Sequence, residues 1–512
     1  MSWTSIGATD GNGYYSIDSA SDLYIFAEIV NKYDQSAKAK LTDNIDYSAY
    51  PQGFIGTSSS KFAGTFDGQE HTVTIALVGD AKIRGLFAYI NGATIRNLVV
   101  DGSITSGYNN IGGLGGQVDG SCTVENVVVN TSISYTPGSD DASIGGFFPY
   151  VYNDQTLTIR NCAFYGSVNA GTATGNAGLV AWNSGTINAT NCLVAPKALE
   201  TGSNGFDDYA RYHAPSTSNC YRGETDDARF ASGELCYLLN NGGTNWYQTL
   251  GTDDIYPYPF GTLTVGRGQW LSDDYLYYNI DGSGNITIPR LDLSENDTKY
   301  EVPANVTAKN VSIARNIPAG QWIGLCLPFD LDAIPSGWDV RELAYVNGTG
   351  DDASMIFRSA TSIEAGKPYL VKPASRVETI TVTDTDTPII SKADATAVNT
   401  VSDGGVNMIG NLCQTSILMG SYYINTSSLL KKLTAASANL KGFRAYFTVD
   451  AVGGGSPVKA LSYGFEEDDA TGIEEALSNS PLKGEDIYNL AGQRIQKVQK
   501  GINIVNGKKV LF

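Results

Sequence analysis

The chain has 512 residues, too many for one ordinary hydrophobic core, so about two to four domains are expected. Only 17% of the residues are charged, while glycine (57) and tyrosine (30) are plentiful, the profile of a turn-rich, all-β, extracellular chain rather than a helical cytosolic enzyme. Acidic residues outnumber basic ones 53 to 34, a formal charge of -19 that repels phosphate backbones and anionic lipid and so disfavours nucleic acid and membrane surfaces as partners.

No apolar run approaches the roughly 20 residues needed to span a bilayer. Met1-Ser-Trp leads straight into polar sequence, so the start is read as a trimmed mature form carrying an added methionine. The expected location is extracellular or on the outer-membrane surface. Seven cysteines are scattered singly with no CxxC, and neither histidine sits in a ligand-spaced cluster. That pattern predicts no metal and no cofactor.

Residues 1–61 form an N-terminal cap with one helix. Leu23, Phe26, Ala27 and Val30 fall on one face of residues 19–33, with Ser21 or Asp22 near the helix start. Next comes FAGTFDGQEHTVT (residues 62–74), which holds an aspartate, a glutamate and one of the two histidines. Asp67-Gly68 reads as a turn, with Glu70 and His71 on the strand that leaves it. With no second histidine nearby and no repeated acid column, this stretch is scaffold rather than a catalytic cluster.

Residues 62–202 repeat. RGLF (84–87), GGLG (112–115), GGFF (145–148) and AGLV (177–180) recur at intervals of roughly thirty residues. Each is followed by a matching line: TIRNL (94–98), TVENV (123–127), TIRNC (158–162) and NATNC (188–192). One repeat is one coil of a right-handed parallel β-helix, the hand following from the crossover rule for parallel strands. Equivalent residues then stack about 4.8 Å apart. Asn97, Asn126, Asn161 and Asn191 form a structural ladder of amides able to hydrogen-bond along the axis. Ile95, Val124, Ile159 and Ala189 fill the interior, while Arg96, Glu125, Arg160 and Thr190 face outward, where alternating charge contributes ~0.2–1 kcal/mol per contact. Cys162 and Cys192 share a column, within disulfide range; buried thiols are the preferred reading and a disulfide the alternative.

FAGTFDGQEHTV, GLFAYINGATIRNLVV and IGGLGG resemble the β-helical repeats, GLUG-type repeats included, of large cell-surface and secreted proteins of Bacteroidetes. The segment YYSIDSASDLYIFAEIVNKYDQSAKAKLTDNIDYSAY is similar to the opening segment of those proteins. The resemblance extends to ARFASGELCYLLN (228–240), read as one short helix, and to WYQTLGTDDIYPYP (246–259). It implies that residues 203–264 form a C-terminal cap of the solenoid.

Residues 265–463 change to separate alternating strands divided by Gly, Pro and Asn turns, as in one or two β-sandwich-like modules, with Pro388 a candidate break. GQWIGLCLPFDL, EAGKPYLVKP and LKGFRAYF resemble modules that follow β-helices in the same proteins. Residues 464–479 read as an acidic linker, since the DxDxDG spacing of a calcium loop is missing. Residues 480–512 form a short C-terminal β segment resembling the secretion-type strands of that group.

Two functions compete. The first is a non-enzymatic, adhesin-like surface or secreted protein presenting a β-helical rod to a glycan or a host surface protein, with Tyr150, Tyr152 and Trp182 as candidate ligand-binding residues. Ordinary packing is the competing account of those three rings. The second is a polysaccharide lyase or glycoside hydrolase on the flank of the coil. Hydrolysis asks for two flanking carboxylates. The alignable outward columns, Arg96/Glu125/Arg160 and Asp101/Asn130/Tyr165, stack no acid on acid, and Asp140 and Asp141 are adjacent in a loop. No catalytic residue is assigned.

Overall fold

The computed structural model describes residues 6–79, 83–107, 109–136, 141–200, 205–224, 226–348, 353–450 and 461–466, together with the backbone of short strands between 473 and 511. Strands dominate, and the chain divides into two compact units. One comprises residues 1–267 and 277–284, the other residues 268–276 and 285–512. Among the described residues no helix is long and apolar enough to cross a membrane.

The first unit is built from parallel sheets that the chain visits in a fixed order. One contains Thr65–Asp67, Thr94–Ser106, Cys122–Val129, Thr156–Arg160 and Thr186–Thr190 side by side. A second contains Phe87–Asn91, Gly115–Asp119, Phe148–Val151 and Val180–Asn183. A third contains Ile83–Arg84, Asn110–Gly112, Ser143–Gly145 and Gly175–Ala177. Register is set by identity of side-chain type. Ile95 pairs with Val124, Val124 with Ile159 and Ile159 with Ala189, and all four are buried. A one-residue slip would turn this apolar row outward.

The parallel stack is longer than residues 62–202. At its start Tyr14–Ile17 pairs with Lys38–Leu41, which pairs with Thr65–Asp67. At its end Ala210–Tyr212, Ser216–Ser218 and Tyr221–Arg222 continue the rungs. Helix α1 (Ala20–Lys32) falls within the expected span 19–33, with Ser21 and Asp22 in its first turn. Ser19 is the N-cap, its hydroxyl accepting from the Asp22 N–H and donating to the Asp22 carboxylate at 2.7 Å. Its apolar face joins the core through Phe26, whose ring lies 6.1 Å from Phe62 and 6.0 Å from Phe66.

The region 203–264 departs from a simple end cap. The single helix expected over 228–240 is two, α2 (Ala228–Ser232) and α3 (Glu234–Asn240), because Gly233 between them adopts φ +86°. Phe230, Leu235, Leu239, Trp246 and Leu250 pack on an outer row of the first sheet, Val128, Ala163 and Leu193, which is itself fully buried. These helices therefore cover a flank of the stack. The sequence carried that signal in the apolar triplets after each ladder asparagine, such as VVV and CAF, which break inside–outside alternation as a strand buried on both faces does.

In the second unit Val306–Ile317 pairs in parallel with Ile286–Ser294 and antiparallel with Val377–Val382 and Thr387–Ile389. Pro388 thus lies inside a paired strand rather than at a break. Two further sheets, one containing Ser354–Ser359 and Pro368–Pro373 and the other Val406–Asn411 and Arg444–Val449, contribute Met355, Phe357, Leu370, Met408 and Phe447 to one core. Arg315 is fully buried here, donating to the carbonyls of Phe443 and Gly324, and burial pulls its guanidinium down to about 9. Most of the acidic linker and the side chains of the C-terminal segment lie outside the described residues.

Candidate functional site

The ladder asparagines all adopt left-handed backbone, with φ of +52° at Asn97, +53° at Asn126, +51° at Asn161 and +52° at Asn191. Among residues with a side chain, asparagine tolerates this region best, and the bend it creates lets the strand turn a corner. Each amide donates to the preceding rung: Asn126 to Asn97 at 3.0 Å, Asn161 to Asn126 at 3.0 Å and Asn191 to Asn161 at 3.1 Å.

Two members escaped the sequence reading. Asn219 (φ +53°) donates to Asn191 at 2.9 Å and to the Leu239 carbonyl of α3 at 2.9 Å. TSNC at 217–220 echoes ATNC at 189–192 and was the available signal. At the other end Asp67 accepts from Asn97 at 3.0 Å, from the Gln69 N–H at 3.1 Å and from Arg96 at 2.9 Å. The amides thus run head to tail, with their donor end on a carboxylate. Burial raises the Asp67 pKa, but the bonds from Gln69 and Asn97 and the Arg96 charge together hold it below the usual range.

Asp67 is therefore a ladder terminus as well as a turn residue, and Glu70 belongs to the turn (φ +69°), the strand Thr72–Val78 starting beyond His71. Gly68 is required by close approach, since a Cβ there would stand 2.4 Å from the Asn97 carbonyl oxygen. In the outward column Arg96 pairs with Asp67 rather than with Glu125, and Glu125 pairs with Arg160 at 3.2 Å.

The candidate ligand-binding residues lie on the outer face of the second sheet. Tyr89 is level with Gln117, Gln117 with Tyr150, and Tyr150 with Trp182, while their strand neighbours point inward. Tyr152 packs edge-on to Tyr150 at 4.9 Å. Trp182 stacks on Tyr212 at 4.5 Å, and Tyr212 stacks on His213 at 4.4 Å. Trp182 and Tyr212 thus each cover one face of the other. Ser184 Oγ accepts from Trp182 Nε1 at 3.1 Å and lies 3.2 Å from the Tyr150 hydroxyl. Tyr152 and Tyr212 are 44% and 61% exposed.

The cysteines at the described positions are free thiols. Cys162 and Cys192 are fully buried, and burial pushes both thiols up. Cys220 extends the column and is half-buried; its hydrogen bond with Cys192 pulls it below the usual thiol value. Among the described residues no group of three or more His, Cys, Asp or Glu could hold a metal ion. Asp140 lies outside the described residues.

No family model matches the chain, and no curated protein matches it. A solved structure named "putative immunoglobulin A1 protease" from Bacteroides ovatus is similar at a TM-score of 0.33 and 14% identity, covering 49% of this chain and 93% of that one. A likeness at that level carries no argument about fold or function.

Proposed function

We propose that this chain is a non-enzymatic, adhesin-like protein of the Bacteroidetes cell-surface or secreted type, a right-handed parallel β-helix followed by β-sandwich-like modules, which binds a glycan or a host surface protein. The carrying observation is the row of aromatic and polar side chains, Tyr89, Gln117, Tyr150 and Trp182 with Tyr152 and Tyr212 beside it, on one outer sheet face. Aromatic side chains grouped on a flat, hydrogen-bonded surface are the composition of a binding patch. The crossover rule supports the right hand, and three parallel sheets visited in turn support the coil. A polysaccharide-cleaving enzyme is the alternative; Asp67 and Glu125 are engaged by Arg96 and Arg160.

The test is a glycan and host-protein binding screen of the full chain, run beside a depolymerisation assay. Binding that falls roughly tenfold in the Trp182→Ala/Tyr212→Ala double variant, about 1.4 kcal/mol, supports the reading. Release of unsaturated or reducing ends overturns it.

A further inference from the structure

A second surface of the first unit, on the face that carries the asparagine ladder, has the make-up of a sugar site. A cleft of about 290 Å³ runs along Asn97, Asn126 and Asn161, with Glu70 and Glu125 on it and the segment around Thr244 and Asn245 as its far wall. Its lining is almost wholly polar. Each ladder amide uses one N–H for the rung below and retains a second, so the cleft offers donors at the rung spacing, about 4.8 Å. Glu70 and Glu125 supply acceptors.

Tyr247, Phe260 and Gly261 line this cleft and also an adjoining one of about 460 Å³. The second cleft is aromatic, with Tyr256 and Tyr258 beside Tyr247 and Phe260. Gln248 on its lining fixes the wall from within. Gln248 is 5% exposed, and its amide nitrogen donates to the carbonyls of Phe230 and Ile255, both at 2.7 Å. Both N–H groups are thereby committed, so the side chain cannot be flipped, and its buried Oε1 is left with no donor.

We infer that these joined clefts are a binding site for a neutral oligosaccharide, its hydroxyl edges on the ladder amides and glutamates and its C–H faces on Tyr247 and Phe260. A pyranose is polar at its rim and apolar on its faces, which matches a site half amide and carboxylate, half aromatic ring. Glu70 and Asp254 in the lining disfavour uronates and sulfated sugars by like-charge repulsion, Glu125 being offset by Arg160. This is a second site, on a different sheet face from Tyr150 and Trp182, and it stands or falls independently of that row.

The experiment is calorimetric titration of the full chain with cellohexaose, xylohexaose and mannohexaose, and with hexagalacturonate as the charged control. Thr244 is exposed, so Thr244→Trp fills the cleft without touching the core, and unchanged thermal melting checks its fold. Expected are binding of a neutral hexaose, none of hexagalacturonate, and at least a roughly tenfold loss in Thr244→Trp, with the Trp182→Ala/Tyr212→Ala variant unaffected. Glu70→Lys should lower the bar to hexagalacturonate. Neutral binding that survives Thr244→Trp and disappears in the double variant overturns the cleft and leaves the aromatic row standing. Failure of every neutral hexaose to bind at millimolar concentration, or binding of hexagalacturonate by the parent chain, also overturns it.

Discussion

Replacing Asn126 separates the two things a ladder asparagine does. Its side chain makes two hydrogen bonds, giving one to Asn97 and taking one from Asn161, both at 3.0 Å, and its backbone sits at φ +53°. Asn126→Ala removes both bonds, at about 1 kcal/mol each, and places a residue poorly suited to left-handed backbone there, at roughly 1 kcal/mol more. The expected destabilisation is about 3 kcal/mol. Asn126→Gly loses the same bonds but adopts positive φ without strain, so about 2 kcal/mol is expected. A chain of two units is a poor subject for one unfolding midpoint. The assay is therefore hydrogen–deuterium exchange on the full protein, comparing peptides over residues 94–106 and 156–169 with peptides from the second unit. Because stacked rungs are stabilised by their nearest neighbours, protection should fall in the rungs flanking Asn126 and hold elsewhere. If both variants exchange within about 0.5 kcal/mol of the parent, the ladder does not hold the stack together. If glycine is as damaging as alanine, the backbone part of the reasoning is wrong.

Asp67→Asn tests the charged end of the ladder. A carboxyl held below its ordinary value stabilises the fold above the unfolded pKa, about 3.9, and that stability is lost as pH falls through the lower, folded value. The variant should therefore be less stable than the parent at neutral pH, with the gap closing on acidification; a gap independent of pH in denaturation curves contradicts the assignment. For the thiols, Cys220 should alkylate first in the native protein near neutral pH and Cys162 and Cys192 only on unfolding, read by mass spectrometry of iodoacetamide-treated peptides. In the second unit, Arg315→Ala removes a buried donor from the Gly324 and Phe443 carbonyls, leaving Phe443 the 3.4 Å bond from the Cys326 N–H, and should cost about 3 kcal/mol or more, seen as lost hydrogen–deuterium exchange protection in peptides of that unit; a change below about 1 kcal/mol would show that water replaces the guanidinium.

The repeat at 84–202 was legible because each rung faces its own copy, so stacking writes itself into the chain as recurring residue types. From that alone came the pairing of Val124 with Ile95 and Ile159 and the column of asparagines. The rungs at either end were less visible. Tyr14–Ile17, the terminal rung with only one neighbour to match, and Lys38–Leu41 beside it share no recurring pattern with TIRNL. The helix break at Gly233 depends on a backbone angle, and glycine in a short helical pattern reads as tolerated until that angle is known.

What the sequence determined by itself is periodicity: where a rung begins, which side chains face in, and which residue turns the corner. Tertiary structure decided what lies against the outside of the rungs. The flank cover by Phe230 and Trp246, the mutual stacking of Trp182 on Tyr212 and the junction of the ladder with Tyr247 and Phe260 join residues far apart in the chain. A repeat encodes contact between its own copies, whereas contact with a segment that occurs once leaves no period to read.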